Sequence, residues 1–477
     1  MAHAITIARG DGIGPEIMDA TLFILKEAGC ALDFEEVRMG EKLYAEGFAA
    51  GIHPEVWDSI RRTGILLKAP MTTPQGKGVK SLNVTLRKTL GLFANIRPVM
   101  SLAPVVASRF PDLDVIVVRE NEEDLYAGIE HRQTDEVVQC LKLMSRPGTE
   151  RLVRFAFEYA VAHGRKRVTC MTKDNIMKLT DGMFHAVFRE VAQDYPQFKT
   201  DHMIIDIGTA RLATRPEGFD VLVLPNLYGD ILSDVVAELS GSVGLAGSCN
   251  LGRTAAMYEA IHGSAPDIAG RGIANPSGLL NGAIMMLKDL GMAEAGLIEN
   301  AWLKTLEDGI HTGDVTLAAE TSGPVGTRAF AEAIVARLGQ KPTQLRASPE
   351  VAHAVPKVPE LIHPPQPKKA LVGVDVFLAW RGSPDELGPA IKAANHGPLA
   401  LQMITNRGVK VWPDGFPETF CTDHWRCRYQ RPDKAAIAHG EILALLSDLA
   451  AAGFDFIKTE NLYTFDGEAG FSAGQGQ

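Results

Sequence analysis

Cysteine is scarce, with six residues in 477, at positions 30, 140, 170, 249, 421 and 427, and no Cys-x-x-Cys pair. This argues against a disulfide framework and suits a reducing compartment. Cys421, His424 and Cys427 lie close together, but three ligands with no matching second half do not make a structural zinc module. Positive charge is in deficit: 48 Lys and Arg against 58 Asp and Glu leave a net charge of -10. A nucleic-acid partner needs a basic face, which argues against that class, whereas a small anion can still be held by a few local arginines. No hydrophobic run reaches membrane-spanning length, and the first residues enter a strand-like segment without a basic, apolar leader. A cytoplasmic protein with neither a membrane nor a nucleic acid as partner is expected.

What is present is a globular composition, 46% hydrophobic and 22% charged, over a length that implies two or three domains. The most informative stretch is Asn226-Leu227-Tyr228-Gly229-Asp230-Ile231-Leu232-Ser233-Asp234. It follows the apolar run Val221 to Pro225, which reads as a buried strand, and Gly229 permits a sharp turn into a helix. Asp230 and Asp234 are four apart, so a helix puts both carboxylates on one face. Asp206, after the apolar run His202 to Ile205, can deliver a third oxygen to a hard divalent cation. The plainer alternative is a helix-capping Asp and a solvated one.

Ala4 to Ala8 reads as a strand, and Gly10-Asp11-Gly12-Ile13-Gly14-Pro15-Glu16 leads it into a helix. Pro15 stands where a dinucleotide fingerprint needs its third glycine, so a tight strand-to-helix turn is the better reading. Alternating strands and helices up to about residue 98 indicate an α/β domain. Ser81 reads as the N-cap of a helix beginning near Leu82, with Asn83 and Arg87 on one face, an arrangement suited to an anion. Arg97 precedes Pro98 and is therefore extended. Arg119 ends the run Val115 to Val118, where α/β sheets place ligands. Each arginine alone is more often a surface charge. Together with three aspartates they suggest a polyanionic substrate bridged to a metal.

The segments Gly10 to Glu16, Ser81 to Arg87, Arg119 to Glu130, Lys173 to Lys178, Asn226 to Asp234 and His262-Gly263-Ser264-Ala265-Pro266 resemble the metal-dependent β-decarboxylating dehydrogenases. Within that isocitrate/isopropylmalate dehydrogenase family the chain is most similar to the bacterial isocitrate dehydrogenases that carry an extra C-terminal domain. The resemblance implies an α/β chain with the two-domain β-decarboxylating dehydrogenase fold, not a Rossmann fold. It implies substrate contacts at Arg87, Arg97 and Arg119, with Ser81 and Asn83 on a third carboxylate. Tyr126 and Lys173 become the catalytic pair, and Asp206, Asp230 and Asp234 the ligands of Mg2+ or Mn2+. It further implies a homodimer in which Lys173 and Asp206 enter the neighbouring subunit's site. The cofactor is then held by Lys68, Thr72, Thr73, His262, Gly263, Ala265, Asp267, Ile268 and Asn275.

The implied reaction is oxidative decarboxylation of isocitrate to 2-oxoglutarate and CO2. A metal makes the C2 hydroxyl more acidic, Lys173 is the base, and Tyr126 supplies a proton to C3. Ser81 and Asn83 are donors that an isopropyl group would leave unpaired, at about 1–3 kcal/mol each, so isocitrate is preferred to 3-isopropylmalate, with homoisocitrate and tartrate as alternatives. Asp267-Ile268 replaces the Lys-Tyr of NADP-using members, and Leu317 and Thr321 stand for their Tyr and Arg. An Asp accepts from free ribose hydroxyls and repels a phosphate, so NAD is expected, with NADP the alternative.

The resemblance divides the chain into a discontinuous large domain (1–98 and 240–340) and a small domain (99–239) with a dimer-forming arm at about 131–168. A proline-rich linker (341–369) follows, then a C-terminal domain (370–477). The helix from Pro276 to about Gly291 carries a methionine stripe read as core. Strands are expected at Ala370–Ala379, Leu399–Thr405, Val409–Trp412 (with Asp423–Tyr429 as an addition) and Phe454–Leu462, and helices at Pro384–Asn395 and Ala435–Ala452. This βαββαβ order is a ferredoxin-like α+β domain. With no binding constellation in it, it reads as an assembly module that builds a higher oligomer, with a regulatory ligand site as the alternative. An inactive scaffold acting through that domain is the non-enzymatic alternative.

Overall fold

The computed structural model describes residues 2–72, 81–319, 323–349, 356, 360 and 365–474. Two compact units result, one of Met1–Ala127 with Lys142–Ile362 and one of Gly128–Leu141 with His363–Gln477. The strands in chain order are β1 (His3–Ala8), β2 (Leu32–Glu36), β3 (Ile65–Lys68), β4 (Ala94–Met100), β5 (Asp114–Glu120), β6 (Glu130–Arg132), β7 (Val138–Cys140), β8 (Arg167–Thr172), β9 (Lys199–Ile204), β10 (Val221–Leu224), β11 (Gly247–Leu251) and β12 (Ala256–Ala260).

Ten of these build one sheet in the first unit, in the order β2-β1-β3-β12-β11-β4-β5-β10-β8-β9. The outer quartets, β2-β1-β3-β12 and β5-β10-β8-β9, are each parallel, and β11 and β4 join them antiparallel. Such a mixed sheet is not a Rossmann sheet. The large and small domains read from the sequence are thus the two ends of one sheet. β5, β10, β8 and β9 run the same way, so the loops after them leave on one edge, the edge where parallel strands present ligand-binding groups.

The strands are short apolar runs because both sheet faces are covered. Val115, Val117, Leu222 and Leu224 face one cluster, and Ile116, Val118, Val221 and Val223 another. The helix Arg146–Ala162 buries Leu152, Val153, Phe155 and Phe157, each worth about 1.5–3 kcal/mol. Phe157 stacks on Tyr195 at 4.7 Å. The segment expected to form one arm (131–168) is therefore divided: its apolar part is a core helix of the first unit, and residues up to 141 belong to the second. The helix Ser277–Asp289 buries Met286 with Leu279, Leu280, Ala283, Ile284 and Leu287, so the methionine stripe is core. The start of the expected linker is pinned. The Glu307 carboxylate accepts the N–H groups of Thr343, Gln344 and Leu345, and Asn300 bonds both ways with Ser348.

The second unit adds β13 (Lys369–Ala379), β14 (Ala400–Asn406), β15 (Val409–Trp412), β16 (His424–Gln430), β17 (Asp455–Phe465) and β18 (Glu468–Ala469) in the order β15-β14-β16-β13-β17-β18. All paired neighbours are antiparallel. With helices Pro384–Ala394 and His439–Ala451 this is the ferredoxin-like arrangement, but its third strand is β16, not Val409–Trp412. β15 is an edge hairpin turned by Arg407 (φ 48) and Gly408 (φ 85). β16 puts Trp425, Cys427 and Tyr429 in the core and pairs on both sides, with β13 and β14, which makes it a central strand. His424 instead stacks with Phe377 at 5.4 Å, so Cys421, His424 and Cys427 do not converge. The β6–β7 ribbon belongs here too. Its turn bonds to Asp423 through Thr134 and Glu136, Asp135 pairs with Arg381 at 2.9 Å, and Gln139 accepts from Lys458 at 3.2 Å. Among the described residues no helix is long and apolar enough to cross a membrane, and all six cysteines are free.

Candidate active site

The helix Asn226–Leu239 starts directly after β10 and aims Asp230 and Asp234 at the ends of β4 and β5. Gly229 lies inside this helix rather than in a turn. A Cβ there would sit 2.6 Å from Cγ of Arg119, so the glycine makes room for that arginine's stem. Arg119 donates to Asn226 Oδ1 from Nε (3.0 Å) and Nη2 (2.7 Å), and its Nη1 pairs with Asp230. Arg97 donates to Asn95 Oδ1 (2.7 Å) and Ser233 Oγ (2.6 Å) and reaches Asp234 (3.3 Å) and Asp230 (3.5 Å). Tyr126, in the short 3-10 turn Leu125–Ala127, donates to Asp230 Oδ2, and the Arg119 guanidinium lies 5.0 Å from its ring centroid.

Electrostatics follow from this crowding. Burial and the neighbouring guanidiniums of Arg87 and Arg97 push Arg119 down. Burial would raise Asp230, but Arg119, Tyr126, Arg97 and Arg87 outweigh it and hold the carboxyl low. Asp234 is pushed up, chiefly by burial, because only Arg97 and Arg119 offset it. Burial and the bond to Asp230 raise Tyr126, which stays protonated at neutral pH as a proton donor must.

Ser81 is the predicted N-cap of the helix Leu82–Thr89 and accepts from Val84 N–H at 3.5 Å. On the same helix the Asn83 amide oxygen is sealed from solvent without a partner among the described residues, and so is Nε of Arg87. The other end of Arg87 meets Glu259 at 3.2 Å, and Glu259 also takes Lys68 at 2.6 Å. Lys68, expected at the cofactor, thus has its ammonium engaged in a buried pair. Burial would raise Glu259, but Lys68 and Arg87 hold it well below its ordinary value.

Lys173 and Asp206, expected to enter a neighbouring subunit's site, stand apart from this cluster in their own chain. They follow β8 and β9 and pair with each other at 2.7 Å. Among the described residues neither shares a bond or ion pair with Asp230, Asp234 or the three arginines. The one group of metal-ligating side chains gathered within 4.8 Å of one another is Asp174, His185 and His202, again among the described residues. Its atoms are already partnered: His185 meets Asp174 at 2.7 Å, His202 meets Thr172 at 2.8 Å, and the two rings stack at 3.6 Å.

The loops expected at the cofactor come together. Ile13 N–H donates to the Ser264 carbonyl, Gly12 (φ 57) leaves no room for a Cβ against that carbonyl, and the Thr72 hydroxyl is 2.7 Å from that of Ser264. Asp11 in the same turn accepts from Thr72 N–H. His262 keeps a buried Nε2 without a partner among the described residues, in a loop with Gly263 and Ala265 (φ 38). Asn275 donates to Asp314 at 2.9 Å and accepts from Ser277 N–H, so it shapes the loop. Asp267 is exposed and Ile268 half-buried. Thr73 lies outside the described residues.

Residues 4–334 match the family "Isocitrate/isopropylmalate dehydrogenase". The chain belongs to that family. Residues 369–477 match "Bacterial isocitrate dehydrogenase, C-terminal domain". An isocitrate dehydrogenase [NADP] of Rickettsia felis is 54% identical, over 99% of both chains. One of Thermus thermophilus is 44% identical, over 99% of this chain and 96% of its own. The crystal structure of TT0538 protein from Thermus thermophilus matches with a TM-score of 0.94 and 43% identity over 99% of this chain and 96% of that one. The isocitrate dehydrogenase of Methylococcus capsulatus matches with a TM-score of 0.67 and 42% identity, over 71% of this chain and all of its own.

These relatives correct the expectation of NAD: the full-length members similar to this chain are named for NADP. The structure gives the physical reason. Leu317 packs into the core of the first unit and cannot report on a cofactor. Asp267 is exposed, so nothing fixes its carboxylate on a ribose and water screens its charge. Thr321 lies outside the described residues. The sequence reading also missed Asn226 as acceptor for Arg119, Glu259 beneath Arg87, and a buried trio of Lys142, Asp124 and Asp181. Asn226 was inside a motif already singled out, whereas the trio joins residues far apart in sequence and carries no local pattern.

Proposed function

We propose that this chain oxidises isocitrate at C2 and releases the carboxylate on C3 as CO2, giving 2-oxoglutarate, with NADP as hydride acceptor and Mg2+ or Mn2+ as metal. The observation that supports it most is the convergence of Arg97, Arg119, Asp230, Asp234 and Tyr126, with Arg87 bearing an unpartnered guanidinium nitrogen. Guanidinium forks bind carboxylates, and three suit a tricarboxylate. Asn83 and Ser81 face the third carboxylate, since a half-turn of the amide presents its NH2 where an unsatisfied oxygen now sits. Asp230 and Asp234 form an all-oxygen donor pair, and a cation offsets the burial that raises Asp234. When bound, the cation would make the C2 hydroxyl more acidic and offset negative charge there.

The chain's own groups do the rest. Tyr126, held protonated beside Asp230, delivers a proton to C3 after CO2 has left. Lys173 takes the hydroxyl proton, and with Asp206 it does so in the site of a second copy, since the two stand apart from the cluster of their own chain. Ile207 and Ile231, beside Asp206 and Asp230, are 49% and 55% exposed, a surface a second copy can cover. The free cysteines fit work in the cytoplasm.

Reduced-cofactor formation from isocitrate with Mn2+ tests this, with NADP and NAD in parallel and Asp230→Asn as control. The proposal expects turnover with NADP above NAD, lost in the variant. Turnover with homoisocitrate, tartrate or 3-isopropylmalate instead of isocitrate means that Ser81 and Asn83 are misread. Silence on all four moves the function to the C-terminal unit.

A further inference from the structure

Lys142 follows β7 by two residues, and its side chain is only 12% exposed. Its ammonium lies 2.7 Å from Asp181 Oδ1 and 3.3 Å from Asp124 Oδ1, both carboxylates wholly buried, and 4.9 Å from the centroid of the Tyr228 ring. Among the described residues no other cation pairs with either carboxylate. Each carboxylate spends its second oxygen on one backbone N–H. Asp181 Oδ2 accepts from Lys173 N–H at 2.7 Å, and Asp124 Oδ2 accepts from Leu227 N–H at 2.9 Å. Asp124 also opens the turn that carries Tyr126. Its φ is +64, its carbonyl accepts from Ala127 N–H, and its own N–H donates to the Leu143 carbonyl beside Lys142.

One buried ammonium therefore orients two carboxylates. One fixes the backbone of Lys173, and the other fixes the Tyr126 turn and the first turn of the helix that carries Asp230. Remove the cation and two buried negative charges repel, so both must turn or take up protons. Turning releases the N–H groups they hold, and protonation weakens the hold by replacing a charged acceptor with a neutral one.

We propose that Lys142 is a positioning residue that sets Tyr126 and Lys173 together. The proposal rests on the reading of those two as proton donor and base. Because that reading sends Lys173 into the site of a second copy, the two arms of the Lys142 bridge serve different active sites, and the bridge couples them.

The test uses full-length protein and separates the two proton transfers. Single-turnover formation of reduced cofactor from isocitrate reports the oxidation, where Lys173 acts. Deuterium uptake from D2O at C3 of 2-oxoglutarate reports the protonation run backwards, where Tyr126 acts. Lys142→Met is expected to slow both by about 10²-fold, the size of effect that a 1 Å misplacement brings, while KM for isocitrate stays within about threefold. Lys142→Arg, which keeps a cation between the carboxylates, restores both to within about tenfold. Asp181→Asn slows oxidation and spares deuterium uptake, and this split decides the matter if Lys142→Met does not fold. Wild-type rates in Lys142→Met, a loss confined to KM, or equal slowing of both transfers by Asp181→Asn overturns the proposal. Tyr126→Phe and Lys173→Met run alongside, each expected to stop one transfer. If neither does, the parent reading falls and takes this one with it. If both do while the Lys142 and Asp181 variants stay at wild-type rates, only the bridge falls.

Discussion

Two acid-bearing helices leave the same edge of the sheet and are built in opposite ways. In Asn226–Leu239, Asp230 is fixed by Arg119, Arg97 and Tyr126, and the arginines are themselves fixed by Asn226, Asn95 and Ser233. In Ile205–Thr214, the Asp206 side chain is 67% exposed, and among the described residues its one ion pair is with Lys173. A site must hold its groups at fixed distances before substrate arrives. The first helix meets that requirement inside one chain. The second does not, and under the proposed function a second copy completes it.

The largest effect that bears on this contrast is on turnover. Asp230→Asn and Asp206→Asn are both expected to lower kcat/KM by about 10³-fold or more in spite of their different burial, because each removes a charged group from the reacting centre. If Asp206→Asn stays within a few-fold of wild type, the exposed helix is a bystander. Mixing the two inactive variants under conditions that allow subunit exchange then sharpens the point. Half of the dimers are mixed and each has one intact site, so about one quarter of wild-type activity returns. No recovery means that the halves do not meet across subunits.

Stability should separate the helices the other way. Arg119→Met leaves Asp230 short of its buried partner and is expected to cost about 3–5 kcal/mol in denaturant unfolding, whereas Asp206→Asn leaves the unfolding midpoint unchanged. Equal effects would erase the contrast. The smallest effect is on the pH dependence of stability in metal-free protein. Asp230 is held below its ordinary value, so its contribution is fully present above that value and fades as pH falls through the depressed one. Asp230→Asn should therefore flatten the acid limb of the stability profile, and an unaltered limb would place the carboxylate outside the arginine field.

The sequence showed the first helix far better than the second. Asp230 and Asp234 are four apart in a strand-to-helix motif, so local spacing alone puts them on one face, and Arg119 ends an apolar run, where a sheet presents its ligand groups, although the contact between them spans 111 residues. Ser81 as a cap and the hairpin at Asn406-Arg407-Gly408 are similarly local. The position of β16 at the centre of the second sheet was missed because its pairing with β13 joins residues about 50 apart. The cofactor reading failed for a related reason. Leu317 was read as facing a ligand, and burial of one side chain among distant neighbours leaves no mark on the residues beside it. Lys142 has a similar history, since nothing in its own segment announces two acids at positions 124 and 181.

The β6–β7 ribbon has a consequence for synthesis. It is translated early, and the acids and bases that hold its turn, from Arg381 to Lys458, emerge from the ribosome more than roughly 200 residues later. At roughly 5–20 residues per second, the 246 to 319 residues between bonded partners make a wait of about 12 to 64 s. A two-stranded ribbon is marginal on its own in water, so it spends this interval without its native partners. The first unit must therefore fold around an excursion of its own chain whose native partners have not yet been made.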